Sequence, residues 1–169
     1  MSSDQISKEI ESKFGNRLRS RVNGILWEGD KILMVKHQMS EDRVFWSVPG
    51  GGMKYGTSAP ENLKREFLEE TGLEISVERY LFVHEYLSPP LHAMEHFFEV
   101  KKVNGTPTLG IDPELSGQKQ ILLDLAWMGL EDIQALPNRS LHQVFWGIKS
   151  IQDLGLWKGY FNFGNISLK

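Results

Sequence analysis

The chain has 169 residues, 40% of them hydrophobic and 24% charged, which suits one domain with a sizeable core. A net charge of −3 argues against a nucleic-acid surface, and the lack of cysteine excludes disulfides, thiolate metal sites and a cysteine nucleophile. No apolar run is long enough to span a bilayer and the N-terminal stretch has no secretory apolar core, so the expectation is a single cytoplasmic domain over 1–169, without membrane or nucleic-acid partner.

In chain order, Ile6, Ile10 and Phe14 at fourfold spacing predict a short amphipathic helix over 5–14. Residues 19–27 and 31–36 predict two strands, joined into a hairpin by a turn at Glu28–Asp30. A third short strand over 43–48 runs into "PGGGMKYG", where four of eight residues are glycine, so Pro49–Gly56 reads as a loop. Ser58 and Glu61 have the spacing of a capping box, and Pro60 is tolerated in a first turn. Leu63 and Phe67 form an apolar stripe and Gly72 fits a left-handed stop, which predicts a helix over 59–71. Strand-like runs over 74–86 and 94–103 flank "LSPPLH", residues 107–120 read as loop, and 121–128 reads as a further strand. Glu131 and Leu141 open two helical patterns, a helical and aromatic-rich tail runs over 139–169, and its aromatic-rich part, 154–169, is expected to pack on the domain. Strands and helices mix without strict alternation, which predicts an α/β fold with a mixed sheet.

The helix over 59–71 ends on a difficulty. Glu66, Glu69 and Glu70, at i, i+3 and i+4, share one face close to the helix C-terminus. They repel one another, and the helix end repels each by on the order of a few tenths of a kcal/mol. One explanation is a solvated acidic face relieved by Lys64 and Arg65. The other is a divalent cation such as magnesium, for which clustered carboxylates on a rigid element are suited. The glycine-rich stretch just before the helix favours the cation, since glycine lets backbone approach a ligand closely. A pyrophosphate held by metal ions needs both parts. The P-loop pattern G-x-x-x-x-G-K-[ST] is absent.

Gly51, Arg65, Glu66, Phe67, Glu69, Glu70, Gly72 and Leu73 stand at the offsets of G-x5-E-x7-R-E-U-x-E-E-x-G-U, where U is a bulky apolar residue. In this the chain resembles the Nudix hydrolases, with the box at 51–73 and similar flanks in "FWSVPGGG" and "LAWMGLEDIQAL". The resemblance implies an α/β/α sandwich around a mixed sheet. It implies hydrolysis of a nucleoside diphosphate linked to another group, with magnesium or manganese. Glu66, Glu69 and Glu70 would hold the metal, a Gly50 or Gly51 carbonyl would complete the coordination, and Arg65 would orient the glutamates. Glu66 or a loop carboxylate would activate water, and a homodimer is common among such proteins. Thr57 departs from the pattern, standing where the family has its first glutamate, a partner of the box arginine. Glu61, one turn before Arg65, is the nearest replacement, although the capping box also claims it. The expectation is metal binding weakened about 10–100-fold with the chemistry retained.

Substrate recognition is less legible. Some family members use a further glutamate from a later loop as base; here "SGQKQILLD" has Gln118 and Gln120 in that region, leaving Asp112, Glu114, Glu95 and Glu99 as candidates. Pro89 stands sixteen residues after Leu73, near the offset of a proline in ADP-ribose-type members, though "SPP" is also an ordinary turn. Trp46, Phe45 and Tyr86 are candidates to stack on a base, against the commoner core role of such aromatics. Arg19 and Arg21 are candidate phosphate contacts. "HAMEH", residues 92–96, matches the H-x-x-E-H zinc-peptidase pattern, but the alternation of "HFFEV" places it on a strand, where His92 and His96 are too far apart to share one zinc. Two function classes therefore remain: a metal-dependent pyrophosphohydrolase, and a Nudix-fold module that senses a nucleotide without turnover.

Overall fold

The computed structural model describes residues 3–111 and 121–164. Three helices, α1 (Ser3–Phe14), α2 (Ala59–Thr71) and α3 (Leu130–Gln134), accompany a mixed sheet. Its strands are β1 (Arg17–Glu28), β2 (Lys31–Ser40), β3 (Arg43–Ser47), β4 (Gly50–Gly52), β5 (Glu74–Ser88), β6 (Leu91–Asn104), β7 (Leu122–Met128) and β8 (Gly159–Phe161). The order is β3-β2-β1-β6-β5-β8, with β4 paired to β1 and β7 to β2. β1 runs parallel to β6 and β5 parallel to β8; the other pairs are antiparallel. No helix among the described residues is long and apolar enough to cross a membrane.

Period-two alternation gives the sheet two apolar faces. Leu33 and Phe98 join Leu63, Phe67 and Leu73 beneath α2. Ile32, Met34 and Phe97 point the other way, into a cluster with Ile133 of α3 and Val144, Ile148, Ile151 and Leu154. The result is an α/β/α sandwich.

Three sequence expectations need correction or extension. The glycine run is not all loop: Gly50–Gly52 forms β4, because β1 offers a free edge to which Val22 and Asn23 pair Gly51 and Gly50. The run beginning at Leu141 forms no α-helix but 3-10 turns at Gln143–Phe145 and Ile151–Gly155. Its apolar residues are spaced to pack on the sheet, and Ser150 caps a single turn with Asp153. Strands β5 and β6 also extend to the turn at Pro89–Pro90, so "LSPPLH" is mostly strand. Of the stretch 154–169, Trp157 and Phe161 lie against the core and β8 pairs with β5, while 165–169 lie outside the described residues.

The hairpin of β1 and β2 is paired only at its closed end, Trp27 with Ile32 and Glu28 with Lys31. Beyond it, β1 turns to β4 and β6, while β2 turns to β3 and β7. The two strands part, and the cleft they leave is lined from both sides, by Arg21 and Asn23 of β1 and by His37 and Met39 of β2.

Candidate active site

Helix α2 delivers the acidic side chains. Ser58 Oγ accepts from Glu61 N–H at 3.4 Å, and Glu61 Oε2 accepts from Ser58 N–H at 3.1 Å, closing the capping box. At the other end Gly72, at φ 69°, donates to Leu68 O at 3.0 Å. The repulsive helix end is relieved by backbone as well as by charge. Thr108, Gly110 and Ile111 N–H groups donate to the carbonyls of Thr71, Glu70 and Glu69 at 2.8, 2.8 and 3.2 Å. The segment after β6 thus supplies donors where the helix has unpaired acceptors.

Glu66 and Glu70 are buried and line the cleft together with Gly50, Gly51 and Gly52. Gly50 N–H donates to Glu70 Oε2 at 2.9 Å. A Cβ on Gly51 would fall on the carboxyl of Glu66, so glycine is required there for space. Burial pushes the Glu66 carboxyl up, against the attraction of Arg65. Arg65 spans two of the glutamates, donating to Glu66 Oε1 at 2.6 Å and to Glu69 Oε2 at 2.8 Å. Glu69 is turned toward Arg65 and is not among the residues lining the cleft.

Glu61 does not replace the glutamate missing at 57. Its carboxylate is taken by Ser58, and the residue that braces this corner is Asn62, 0% exposed. Asn62 Oδ1 accepts from Lys54 N–H at 2.9 Å, while its Nδ2 donates to Thr57 O at 3.0 Å and Ser58 O at 2.8 Å. Arg65 Nη2 lies 3.4 Å from the same Oδ1. An asparagine one turn into a capped helix can bond back to the loop, a signal present in the sequence and not used there.

The far wall holds a second polar set. Glu95, 6% exposed, accepts from His84 Nδ1 at 3.0 Å and His142 Nε2 at 2.6 Å, and its other oxygen lies 3.7 Å from Arg21 Nε. Burial would push this carboxyl up, but His142, His84 and Arg21 together hold it well below the usual carboxylate range. The ligand-type atoms of His84, Glu95 and His142 converge within 4.8 Å, as in a metal set. The tautomer argues otherwise. His142 Nδ1 accepts from Val144 N–H at 3.2 Å, so the ring proton sits on Nε2 and points at Glu95. The cluster is a hydrogen-bonded set anchoring a buried anion.

Of the proposed substrate contacts, Arg21 and Tyr86 line the cleft, as do Arg19 and Phe45. Trp46 does not: it is 6% exposed in the core, with Lys36 Nζ 5.7 Å from its ring centroid. The odd-even alternation of β3 sends Phe45 to the cleft and its neighbour inward, and Trp46 contributes its carbonyl, which accepts from His142 N–H at 3.0 Å. Pro89 sits in the β5–β6 turn, away from the cleft lining; beside it Pro90 O accepts from Asn16 N–H at 2.8 Å. Among the candidate bases, Glu95 lines the cleft, Glu99 pairs with Arg79 at 2.8 Å, and Asp112 and Glu114 lie outside the described residues. His92 pairs with Glu85 at 2.7 Å and His96 with Tyr80 at 3.1 Å on the same strand, so they share no metal. The sequence reading missed His37, His84 and His142, which carry no local motif.

A family model described as NUDIX domain matches residues 17–145. An ADP-ribose pyrophosphatase of Methanocaldococcus jannaschii is 33% identical over 79 residues, covering 47% of this chain and 46% of that protein. An RNA pyrophosphohydrolase of Bartonella clarridgeiae is 24% identical over 127 residues, covering 67% and 73%. This chain spans 46%, 61% and 46% of the length of three curated relatives it matches. Among solved structures, a UDP-X diphosphatase aligns with TM-score 0.63 and 22% identity over 95% of this chain and 76% of that one. A NUDIX hydrolase from Nitrosomonas europaea aligns with TM-score 0.61 and 21% identity over 70% and 77%.

Proposed function

The chain belongs to the Nudix family, and from that premise we propose that it is a metal-dependent pyrophosphohydrolase acting on a nucleoside diphosphate linked to another moiety. The observation that carries the reading is the pairing of β4 with Glu66 and Glu70. Two buried carboxylates face a cleft across backbone that glycine alone leaves open. Oxygen donors of this kind suit a hard divalent ion, and the burial that disfavours the Glu66 charge is an environment a cation would relieve.

In this reading Glu66 and Glu70, with Glu69 and a Gly50 or Gly51 carbonyl, would hold magnesium or manganese. The ion would neutralise phosphate charge and make a bound water easier to deprotonate. Water oxygen attacks one phosphorus of the anhydride, the bond from that phosphorus to the bridging oxygen breaks, and two phosphate-bearing products leave. Glu66 takes the proton of the attacking water, and Arg65 fixes the carboxylates of Glu66 and Glu69 in place. A nucleotide substrate of this class fits a cytoplasmic location.

A second reading, nucleotide sensing without turnover, draws support from Glu69, which is turned to Arg65 rather than to the cleft. One experiment separates the two. The purified chain is incubated with ADP-ribose, nucleotide sugars, dinucleoside polyphosphates and nucleoside triphosphates, with magnesium or with chelator, and released phosphates are counted. Magnesium-dependent turnover of one class supports hydrolysis. Binding without turnover of any supports sensing.

A further inference from the structure

Helix α1 precedes the residues that match the family, 17–145, yet it closes one side of the cleft. Its apolar stripe is Ile6, Ile10 and Phe14, and all three are half-buried. None of the three belongs to either core cluster; the helix packs on β2, and Ile10 and Phe14 line the cleft. The joint to β1 sets this direction. Gly15 N–H donates to Glu11 O at 2.7 Å at the end of the helix. Asn16 takes the left-handed region at φ 55°, and its N–H donates to Pro90 O at 2.8 Å. The Phe14 ring centroid then lies 5.0 Å from the Arg19 guanidinium, a contact that holds the helix end against β1.

Register along β1 orders the cleft. Gly50 and Gly52 pair with Asn23 and Arg21 in the acidic part, where Arg21 also attracts the Glu66 carboxylate. Ala93 and Leu91 pair with Arg19 and Arg17 in the other part, and Tyr86 pairs with Ala93. The lining there is apolar: Ile10 and Phe14 of α1, with Met39, Phe45, Tyr86 and Leu91. Phe45 and Tyr86 both pack on the His142 ring, at 5.8 and 6.2 Å between centroids. His142 is itself fixed by Glu95 and by the Val144 N–H, so the buried polar set holds two aromatic rings in place. His37, paired with Phe45 in the β2–β3 ladder, has its pKa lowered to about 4 by desolvation and Arg21. It is neutral near pH 7 and offers one donor and one acceptor. Aromatic walls with a few neutral polar groups match a flat, uncharged ring with hydrogen-bonding edges.

We propose that Ile10 and Phe14 of α1 are specificity-determining residues, the cover of a nucleobase compartment in which the base lies against Phe45 and Tyr86. The inference rests on the hydrolase reading above and narrows its substrate class to compounds held by the base as well as by the anhydride. The cover comes from a helix outside the family-matched residues, so base recognition in this chain depends on its own N-terminal segment. The α1 stripe is spent on the cleft rather than on the core. Truncating one of its side chains therefore costs recognition more than global stability.

The test compares a nucleoside diphosphate, in an adenine and a uracil form, with ribose 5-diphosphate, in which a hydroxyl replaces the base. Affinity is measured by calorimetry with magnesium on the wild type, Ile10→Ala and Phe14→Ala. Thermal melts follow the fold, and turnover of ADP-ribose and nucleotide sugars is recorded alongside. In the wild type the base tightens binding at least about tenfold in at least one form. In each alanine variant that ratio falls at least about threefold, while affinity for ribose 5-diphosphate and Tm stay near the wild-type values. Phe14→Leu, which keeps an apolar cover, retains more of the ratio than Phe14→Ala. A ratio near one in the wild type, a ratio that survives both alanine variants, or an equal loss for the base-bearing and base-free ligands overturns the compartment. The wild type alone gives a second readout: the nucleoside diphosphate slows tryptic cleavage after Lys8 and Lys13 of α1, and ribose 5-diphosphate does not. Equal cleavage rates with the two ligands overturn α1 as the cover. Turnover with a ratio near one leaves hydrolysis standing without the compartment; a high ratio without turnover leaves the compartment standing without hydrolysis.

Discussion

Gly50 N–H donates to Glu70 Oε2 at 2.9 Å, tying the glycine strand to the acidic helix. The neighbouring Gly51 continues the contact, with its Cα directly against the Glu66 carboxyl. The geometry of the acidic site in this chain therefore depends on backbone as much as on carboxylates. Gly51→Ala is expected to displace Glu66, lower stability by about 1–3 kcal/mol and reduce turnover about 100-fold. Thermal melts and steady-state rates check both; unchanged rates would show that Glu66 has no fixed place in the reaction.

Asn62 braces the corner left by Thr57. Truncation strands the Lys54 N–H and frees the Thr57 carbonyl, while Ser58 O keeps its bond from the backbone N–H of residue 62. Asn62→Ala is expected to cost about 2–3 kcal/mol in urea denaturation and to weaken magnesium binding through the shifted loop. A loss below about half a kcal/mol would mean that water replaces the side chain freely.

How much of this was legible depended on the range of the interactions. The α2 boundaries, 59–71, follow from Ser58, Glu61, Pro60 and Gly72, all local signals, and the structure agrees. The glycine run was misread because strand pairing is set by a partner, here β1, that no local pattern announces. Trp46 and Phe45 were indistinguishable as sequence, since the choice of inward ring depends on the facing of β3. His84, Glu95 and His142 are brought together from β5, β6 and a 3-10 turn, a juxtaposition that exists only after folding.

Glu95 should act as an anchored anion. Its carboxyl is depressed in the folded state, so it contributes stability above the ordinary carboxylate pKa, and that contribution is lost as pH falls through the folded value. Glu95→Gln is expected to destabilise by about 3 kcal/mol near pH 7, with the difference from wild type shrinking in acid. Urea titrations across pH measure it; a difference that stays constant in acid would rule out the charged anchor.

His37 gives the opposite probe. Its pKa is lowered to about 4, so the unfolded chain takes up a proton first as pH falls below the ordinary value, and stability declines toward pH 4. His37→Gln is expected to remove this part of the acid sensitivity. Melting temperatures at pH 7 and pH 5 report it, and an unaltered slope would count against a neutral His37 in the cleft wall.

The most direct test of the central claim is the magnesium-dependent rate on the best nucleotide substrate, compared between the wild-type chain and Glu70→Gln. The account predicts turnover that chelator abolishes and a loss of at least about 100-fold in the variant, with its fold retained by circular dichroism. Equal rates in the two proteins, or turnover indifferent to magnesium, would contradict it.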